Sequence, residues 1–462
     1  MANLDFEPLM KSAEAAGQGH LFTLMDSLDP ATRHSFFMEL SALDWELLGQ
    51  LKEQMKAAGD HSSLPLSPAP SIKKGGDGDV AAQARGEELL SGGKVAVFIV
   101  AGGQGSRLGF EGPKGMYPAS PVRKQTLFQL FGAKIAALTT RFGKTVPWYV
   151  MTSQSNHDGT YEYFAEQDWF GLGEDQVKMF SQDMLPAMDS DGRLLLEAPG
   201  KLFLSPNGHG GSLLALKSSG ALDDMKNRGI EQIFYFQVDN PLAAMADPIF
   251  LGHHDLAGAQ MSTKVVSKRD AAEKVGVVGL IDGKYGVIEY SDLSDGELNA
   301  TNDDGQLKFR EGNIAVHMLR RDFVEGLTAE GFDLPYHVAK KNIPDVNPET
   351  GEARTTAGVK FETFVFDALG QCEKSVVLEV DRRSEFAPIK NAEGEDSPQT
   401  SRDAQTEMYA RWLEAAGKKV ERDKNGNSKI AIDIDPRFAD SAAALAARDL
   451  SKLDLSGDLV LE

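Results

Sequence analysis

Apolar residues along this chain follow two different spacings. Before residue 60 they recur every three or four positions, as in Leu40, Leu43, Leu47, Leu51 and Met55. That spacing predicts helices with one face packed on a core. Asp29-Pro30 supplies an N-cap residue and a proline at the first helical position. From residue 94 the pattern changes to short, continuous apolar runs. "KVAVFIVA" (Lys94 to Ala101), "VPWYVMTS" and "QIFYFQVD" (Gln232 to Asp239) read as buried strands. Helices are predicted between them at Gln125–Thr140, Asn156–Asp168 and Gly211–Arg228. Such alternation predicts an α/β fold with a central doubly wound, mainly parallel sheet. Val275–Tyr290 reads as a hairpin turning at "IDGKYG", and helices are expected around Met408–Ala416 and after Asp440.

The stretch Gly59–Asp79 is rich in Pro, Ser and Gly and reads as a loop or linker. The expected organisation is an N-terminal helical region and linker (1–90), a catalytic α/β domain (91–385) and a small C-terminal region (386–462).

Charge and composition narrow the function classes. Lys and Arg number 48 against 69 Asp and Glu, a net charge of -21 over 462 residues. Such a surface repels nucleic acid and anionic membranes, so neither is expected as a partner. Any polyanionic ligand must meet a few cations gathered in one cleft. One cysteine, Cys372, excludes an intrachain disulfide, and no basic-then-apolar leader pattern opens the chain. A cytoplasmic location is expected.

The chemistry concentrates in "AGGQGSRLGFEGPKG" (Ala101 to Gly115), directly after the first buried strand. Glycines let the backbone approach a ligand closely, and their amides can hold phosphate oxygens or a base edge. Arg107 and Lys114 add positive charge. The lysine comes too late for an ATPase phosphate loop, and Leu108 occupies the third glycine position of a dinucleotide fingerprint. A glycine-rich loop, then Arg, then Pro-Lys suits nucleotidyl transfer to a sugar phosphate instead. That nucleophile is already nearly a dianion near neutral pH. The reaction therefore needs alignment of two polyanions and neutralisation of the leaving pyrophosphate, rather than a general base.

The chain resembles the UDP-sugar pyrophosphorylases, and within them most nearly the UDP-N-acetylhexosamine pyrophosphorylases. The resemblance is carried by "AGGQGSRLG", "PKGMYP", "FSQDMLPAMDSDGRL", "PNGHGGSLLAL", "FQVDNPLAAMADPIFLG", "EGNIAVHML", "VKFETFVFDAL" and "FAPIKNAEGEDSP", in that order. It implies a sheet of the sugar nucleotidyltransferase type, UTP and a sugar 1-phosphate as substrates, and Mg2+. It also implies roles for individual residues. Gly102 and Gly103 should contact the uridine, and Gln182 should read the uracil edge with its amide, which offers both a donor and an acceptor. Arg107, Lys114 and Lys390 should face the phosphates. Asp239, closing an apolar strand, should hold the metal, at the strand end where open α/β sheets bind ligands. Gly208 and His209 belong to a second glycine loop, and Glu289 and Asn313 should bond the sugar hydroxyls.

The second loop departs from the acetylhexosamine pattern. Pro206-Asn207-Gly208-His209-Gly210-Gly211 stands where that branch has P-D-G-N-G-G. Gly-His-Gly is similar to the glucose 1-phosphate branch, which continues with aspartate in place of Gly211. N-acetylglucosamine 1-phosphate is the expected sugar; glucose or galactose 1-phosphate, or a nucleotide-sugar-binding regulator without catalysis, are the alternatives. The histidine pair His253-His254 is not expected to bind metal, because adjacent side chains point in different directions.

Overall fold

The computed structural model describes residues 6–57, 64–331 and 334–462. They form two compact units. The larger comprises 64–182, 212–333 and 366–462; the smaller comprises 1–63, 183–211 and 334–365.

An eleven-stranded sheet organises the larger unit. Its strands are β1 (Leu66–Pro68), β2 (Ile72–Lys73), β3 (Val95–Val100), β4 (Trp148–Thr152), β5 (Val177–Ser181), β6 (Gln232–Gln237), β7 (Met261–Ser267), β8 (Val277–Ile281), β9 (Lys284–Ile288), β10 (Glu311–Arg320) and β11 (Val377–Glu379). The main path runs β2-β11-β7-β10-β6-β3-β4-β5. All neighbours on it are parallel except at β10, which pairs antiparallel with both β6 and β7. The fold is thus mixed α/β with a mainly parallel central sheet. β3 and β6 are continuous apolar runs because both sheet faces are covered: Val97, Phe98, Ile99, Phe234 and Phe236 are all fully buried. One cover is the helix Leu127–Phe142. It starts at a capping box of Thr126 and Gln129 and ends at Gly143 in the left-handed conformation. The β8–β9 hairpin turns through Asp282 and Gly283, both with positive φ.

Register fixes where the loops emerge. Val100 pairs with both Gln237 and Met151, and Thr152 pairs with Ser181. The carboxyl ends of β3, β4, β5 and β6 therefore share one edge. β10 runs the other way and begins at that edge.

In the smaller unit the helices Glu7–Ala15, Pro30–Ser41 and Trp45–Ala57 accompany a three-stranded sheet of Met188–Asp189, His337–Val346 and Ala353–Glu362. Phe36, Leu40, Leu51, Leu202 and Phe361 are core residues there.

Several expectations need correction. The stripe from Leu40 to Met55 spans two helices: Ser41 ends one, and the Asp44 carboxylate, accepting from Glu46 N–H and Leu47 N–H, starts the next. Asp29 does cap the first, accepting from Ala31 and Thr32, with Pro30 inside it. The expected linker contributes β1 and β2, paired with β8 and β11, while residues 59–63 lie outside the described residues. Gly220, at φ +70°, splits the expected helix 211–228 in two. The compact units do not follow the continuous segments 1–90, 91–385 and 386–462. Two excursions, 183–211 and 334–365, leave the sheet to join the N-terminal helices. The C-terminal stretch belongs to the larger unit, where Leu242 packs with Met408, Leu413 and Ile432, and Arg123 bonds Asp433 and Asp435 at 2.7 and 2.8 Å.

Candidate active site

The glycine loop leaves β3 at the shared edge and folds back on itself. Gly105 N–H donates to Gly112 O, and Lys114 N–H donates to Gly103 O at 3.0 Å. Asn156, just past β4, fastens the loop: its amide donates to Ala101 O at 3.0 Å while its oxygen accepts from Ser153 N–H. Gly102 is required by close approach, since a Cβ there would lie 2.8 Å from Gln182 Oε1 and 3.3 Å from Ser153 N. Gly103 faces open space, with nothing within 4 Å of where a Cβ would sit. Gly115 is structural instead, pressed against the Phe128 ring.

Gln182 follows β5 and is nearly buried, its backbone N–H held by Thr152 O. Its side chain stands beside Gly102. Asp239 follows β6, and Lys114 reaches across to it, with Nζ 3.8 Å from Oδ2. That gap exceeds a hydrogen bond, so neither group is consumed by the other. Burial pushes the Lys114 pKa down and Asp239 pushes it up, while the nearby charges of Lys390 and Arg107 lower it further. Three cations thus converge near one carboxylate. Lys390 is tied in through the backbone, because Ile389 N–H donates to Asp239 O at 2.9 Å. Arg107 and Lys390 are exposed.

Glu289 and Asn313 meet at a single point. Asn313 N–H donates to Gly276 O, and a Cβ on Gly276 would lie 3.3 Å from Glu289 Oε1. Asn313 is the third residue of β10, at the sheet edge that also carries Asp239. Gly102, Gly103, Gln182, Asp239 and Asn313 therefore lie along one edge, at the ends of β3, β5, β6 and β10.

Gly208 and His209 belong to the smaller unit. Gly208 has φ +80° and packs on Thr363 backbone; Gly210 packs on Phe364. The His209 ring is turned inward. Its Nδ1 accepts from Val365 N–H at 3.1 Å, and the ring lies 5.2 Å from that of Phe364. Burial lowers its pKa to about 4, so it is neutral at pH 7. It fills space rather than presenting charge to a phosphate.

Two features escaped the sequence reading. Asn156 could have been noticed as the polar residue closing "TSQSN" after an apolar strand. The other is a buried ion network behind the site. Lys264, fully buried, bonds Asp247 at 2.8 Å and Glu385 at 2.5 Å, and Lys74 bonds the same two carboxylates. Its four members lie far apart in sequence and carry no local pattern. The histidine pair diverges as expected, His253 bonding Asp79 and His254 bonding Ser262.

A glycine loop at the carboxyl edge of a parallel sheet, converging cations and one carboxylate have the chemistry that nucleotidyl transfer needs. The model of the UTP–glucose-1-phosphate uridylyltransferase family matches residues 55–444. A UDP-N-acetylhexosamine pyrophosphorylase-like protein 1 of Xenopus tropicalis is 38% identical over 89% of this chain and 85% of its own. The UDP-N-acetylglucosamine pyrophosphorylase of Saccharomyces cerevisiae is 38% identical over 82% of this chain and 80% of its own. The structure of the Trypanosoma brucei uridine diphosphate N-acetylglucosamine pyrophosphorylase, solved with an inhibitor, superimposes with a TM-score of 0.84 at 25% identity, covering 99% of this chain and 98% of that one. The chain belongs to this family of UTP–sugar-1-phosphate uridylyltransferases. It is an enzyme, with UDP-sugar pyrophosphorylase activity.

Proposed function

We propose that the sugar is N-acetylglucosamine 1-phosphate. The observation that carries this reading is Gly211. A Cβ there would fall 1.9 Å from the Asn207 amide oxygen, so the aspartate of the glucose branch has no room in this loop. The His209 ring is neutral and has its Nδ1 occupied by Val365 N–H, so it brings no charge to a sugar phosphate. The Gly208-His209-Gly210 run remains the feature favouring glucose 1-phosphate, and the relatives' names favour the acetylated sugar.

In the reaction, a phosphate oxygen of the sugar 1-phosphate attacks the α-phosphorus of UTP. The new O–P bond forms as the bond from α-phosphorus to the bridging oxygen breaks, and pyrophosphate leaves. Gly102 and Gly103 let the uridine approach the backbone, and Gln182 pairs with the uracil edge. Lys114, Arg107 and Lys390 neutralise the leaving pyrophosphate. Glu289 and Asn313 hold the sugar hydroxyls.

Asp239 suits a Mg2+ site. Among the described residues no group of three His, Cys, Asp or Glu could hold a metal, which excludes an all-protein cage. Mg2+ is commonly bound by one or two carboxylates plus substrate phosphates and water. When bound, the ion would supply charge neutralisation at the phosphates. No helix among the described residues is long and apolar enough to cross a membrane, and we place the reaction in the cytoplasm.

The test is pyrophosphate release from UTP over a panel of sugar 1-phosphates. N-acetylglucosamine 1-phosphate should give the highest kcat/KM. A value at least tenfold higher for glucose 1-phosphate would overturn the choice of sugar and leave the reaction class intact.

A further inference from the structure

A cavity of about 300 Å³ lies in the larger unit, among residues the reaction does not use. Lys134 and Arg141 reach it from the helix Leu127–Phe142. Leu242 comes from the segment after Asp239, Met408 and Trp412 from the C-terminal helix Pro398–Ala415, and Ala442 stands at its rim. The volume is at the lower end for small-ligand sites.

Its charges are unevenly matched. Lys74, also in the lining, is neutralised by Asp247 and Glu385. Arg141 is shared between Glu87 at 3.2 Å and Asp440 at 3.4 Å. Lys134 forms no ion pair among the described residues. Its ammonium donates to two backbone carbonyls, Pro241 O at 2.6 Å and Ala243 O at 2.9 Å, leaving one of three N–H donors. A largely buried cation held by two carbonyls and the face of Phe131, 6.0 Å away, gains from an anion. The apolar walls of Leu242, Met408 and Trp412 require that anion to carry an apolar body. A nucleoside triphosphate is excluded, since its several charges would face Asp247, Glu385 and Asp440.

The cavity is wired to the active site through a few bonds. The carbonyls Lys134 holds lie two and four positions beyond Asp239. Asn240, between Asp239 and Pro241, donates to Glu385 O at 2.8 Å and accepts from Ala387 N–H and Leu242 N–H. Ile389 N–H in turn bonds Asp239 O. An anion that draws Lys134 away from Pro241 and Ala243 loosens the segment that sets Asp239 against Lys390. We propose that this cavity is an inhibitory effector site for a small amphipathic monoanion, such as an aromatic carboxylate or sulfonate, whose charged group pairs with Lys134.

The probe is 1-anilinonaphthalene-8-sulfonate, followed by its fluorescence and by its effect on turnover. The wild-type enzyme should bind one equivalent, undisplaced by saturating UTP, and kcat should fall while the KM for UTP holds within about twofold. Lys134→Met should weaken binding about tenfold, the loss of one hydrogen bond to a charged group. The uncharged N-phenyl-1-naphthylamine should bind both forms equally. Ala442→Trp, filling the cavity from its rim, should abolish binding and inhibition with basal turnover intact. Displacement by UTP, or undiminished binding to the Ala442→Trp enzyme, would overturn the site. Binding that leaves kcat unchanged would overturn its inhibitory role. The fluorescence arm needs no sugar substrate, so its failure is distinct from an error in the sugar assigned above.

Discussion

Replacing Lys114 with alanine is the most direct probe of the chemistry. The ammonium is mostly buried, 3.8 Å from Asp239, in a field that already contains Arg107 and Lys390. Two unit charges about 4 Å apart at an effective dielectric of about 20 interact by about 4 kcal/mol. Loss of one donor to a developing anion costs about 2.7–4 kcal/mol, or 100- to 1000-fold in kcat. The two figures agree, so kcat for pyrophosphate release should fall by roughly that factor. The KM for UTP should move by less than about threefold, because the proposed uridine contacts, Gly102, Gly103 and Gln182, are other residues. Stability supplies the control. Burial holds the Lys114 pKa below its ordinary value. A lysine with a lowered folded pKa weakens the fold wherever the unfolded chain's lysine is charged, which includes neutral pH. A melting curve of the variant beside wild type separates a kinetic loss from unfolding. A folded Lys114→Ala enzyme with kcat within about threefold of wild type would refute the role.

Asp239→Asn should raise the Mg2+ concentration needed for half-maximal turnover and nearly stop the reaction; an unchanged Mg2+ dependence in a folded variant places the metal elsewhere. His209→Asn should shift the kcat/KM ratio toward the acetylated sugar, and no movement means this loop does not set specificity. Lys264→Met leaves Asp247 and Glu385 sharing Lys74 as their cation, and should cost about 3 kcal/mol or more in denaturant unfolding, as broken buried ion pairs do; a loss under about 1 kcal/mol contradicts that. Acid should destabilise the fold through its buried neutral rings. His209 and His254 have pKa values lowered by burial to about 4 and about 3. Below about pH 6.5 the unfolded chain protonates both and the folded chain neither, so stability falls by about 1.4 kcal/mol per pH unit for each. His209→Asn should remove one such contribution between pH 6 and 4; an unchanged slope rules that ring out.

The carboxyl edge of the sheet could be read from sequence because its parts are local. An apolar run followed by glycines marks β3 and its loop, and an apolar run ending in Asp239 marks the matching end of β6. The ring orientation of His209 could not be read, because Val365 and Phe364, which settle it, arrive about 155 residues later. The hairpin of His337–Val346 and Ala353–Glu362 was also missed. Its outward positions include Lys340, Lys341 and Asn342, all exposed, and the alternation that marks a half-buried strand is lost. The break between the helices at Ser41 and Trp45 was hidden because Leu43, between them, keeps the helical spacing while lying in neither.

The smaller unit also constrains how the chain matures. Its first helices end by residue 57, yet the groups they need come much later: the His20 ring bonds Leu194 O, Gln18 bonds Gly192 O, and Gln54 bonds Tyr336 O. At a synthesis rate of about 5–20 residues per second, a ribosome takes roughly 15–60 s to deliver residue 365 after the last of these helices. Through that interval Phe36, Phe37 and Leu40 have no sheet to cover them. Closing such long loops is slow. The nascent N-terminal segment therefore waits longest for its cover, while the larger sheet can assemble around β3 and β4.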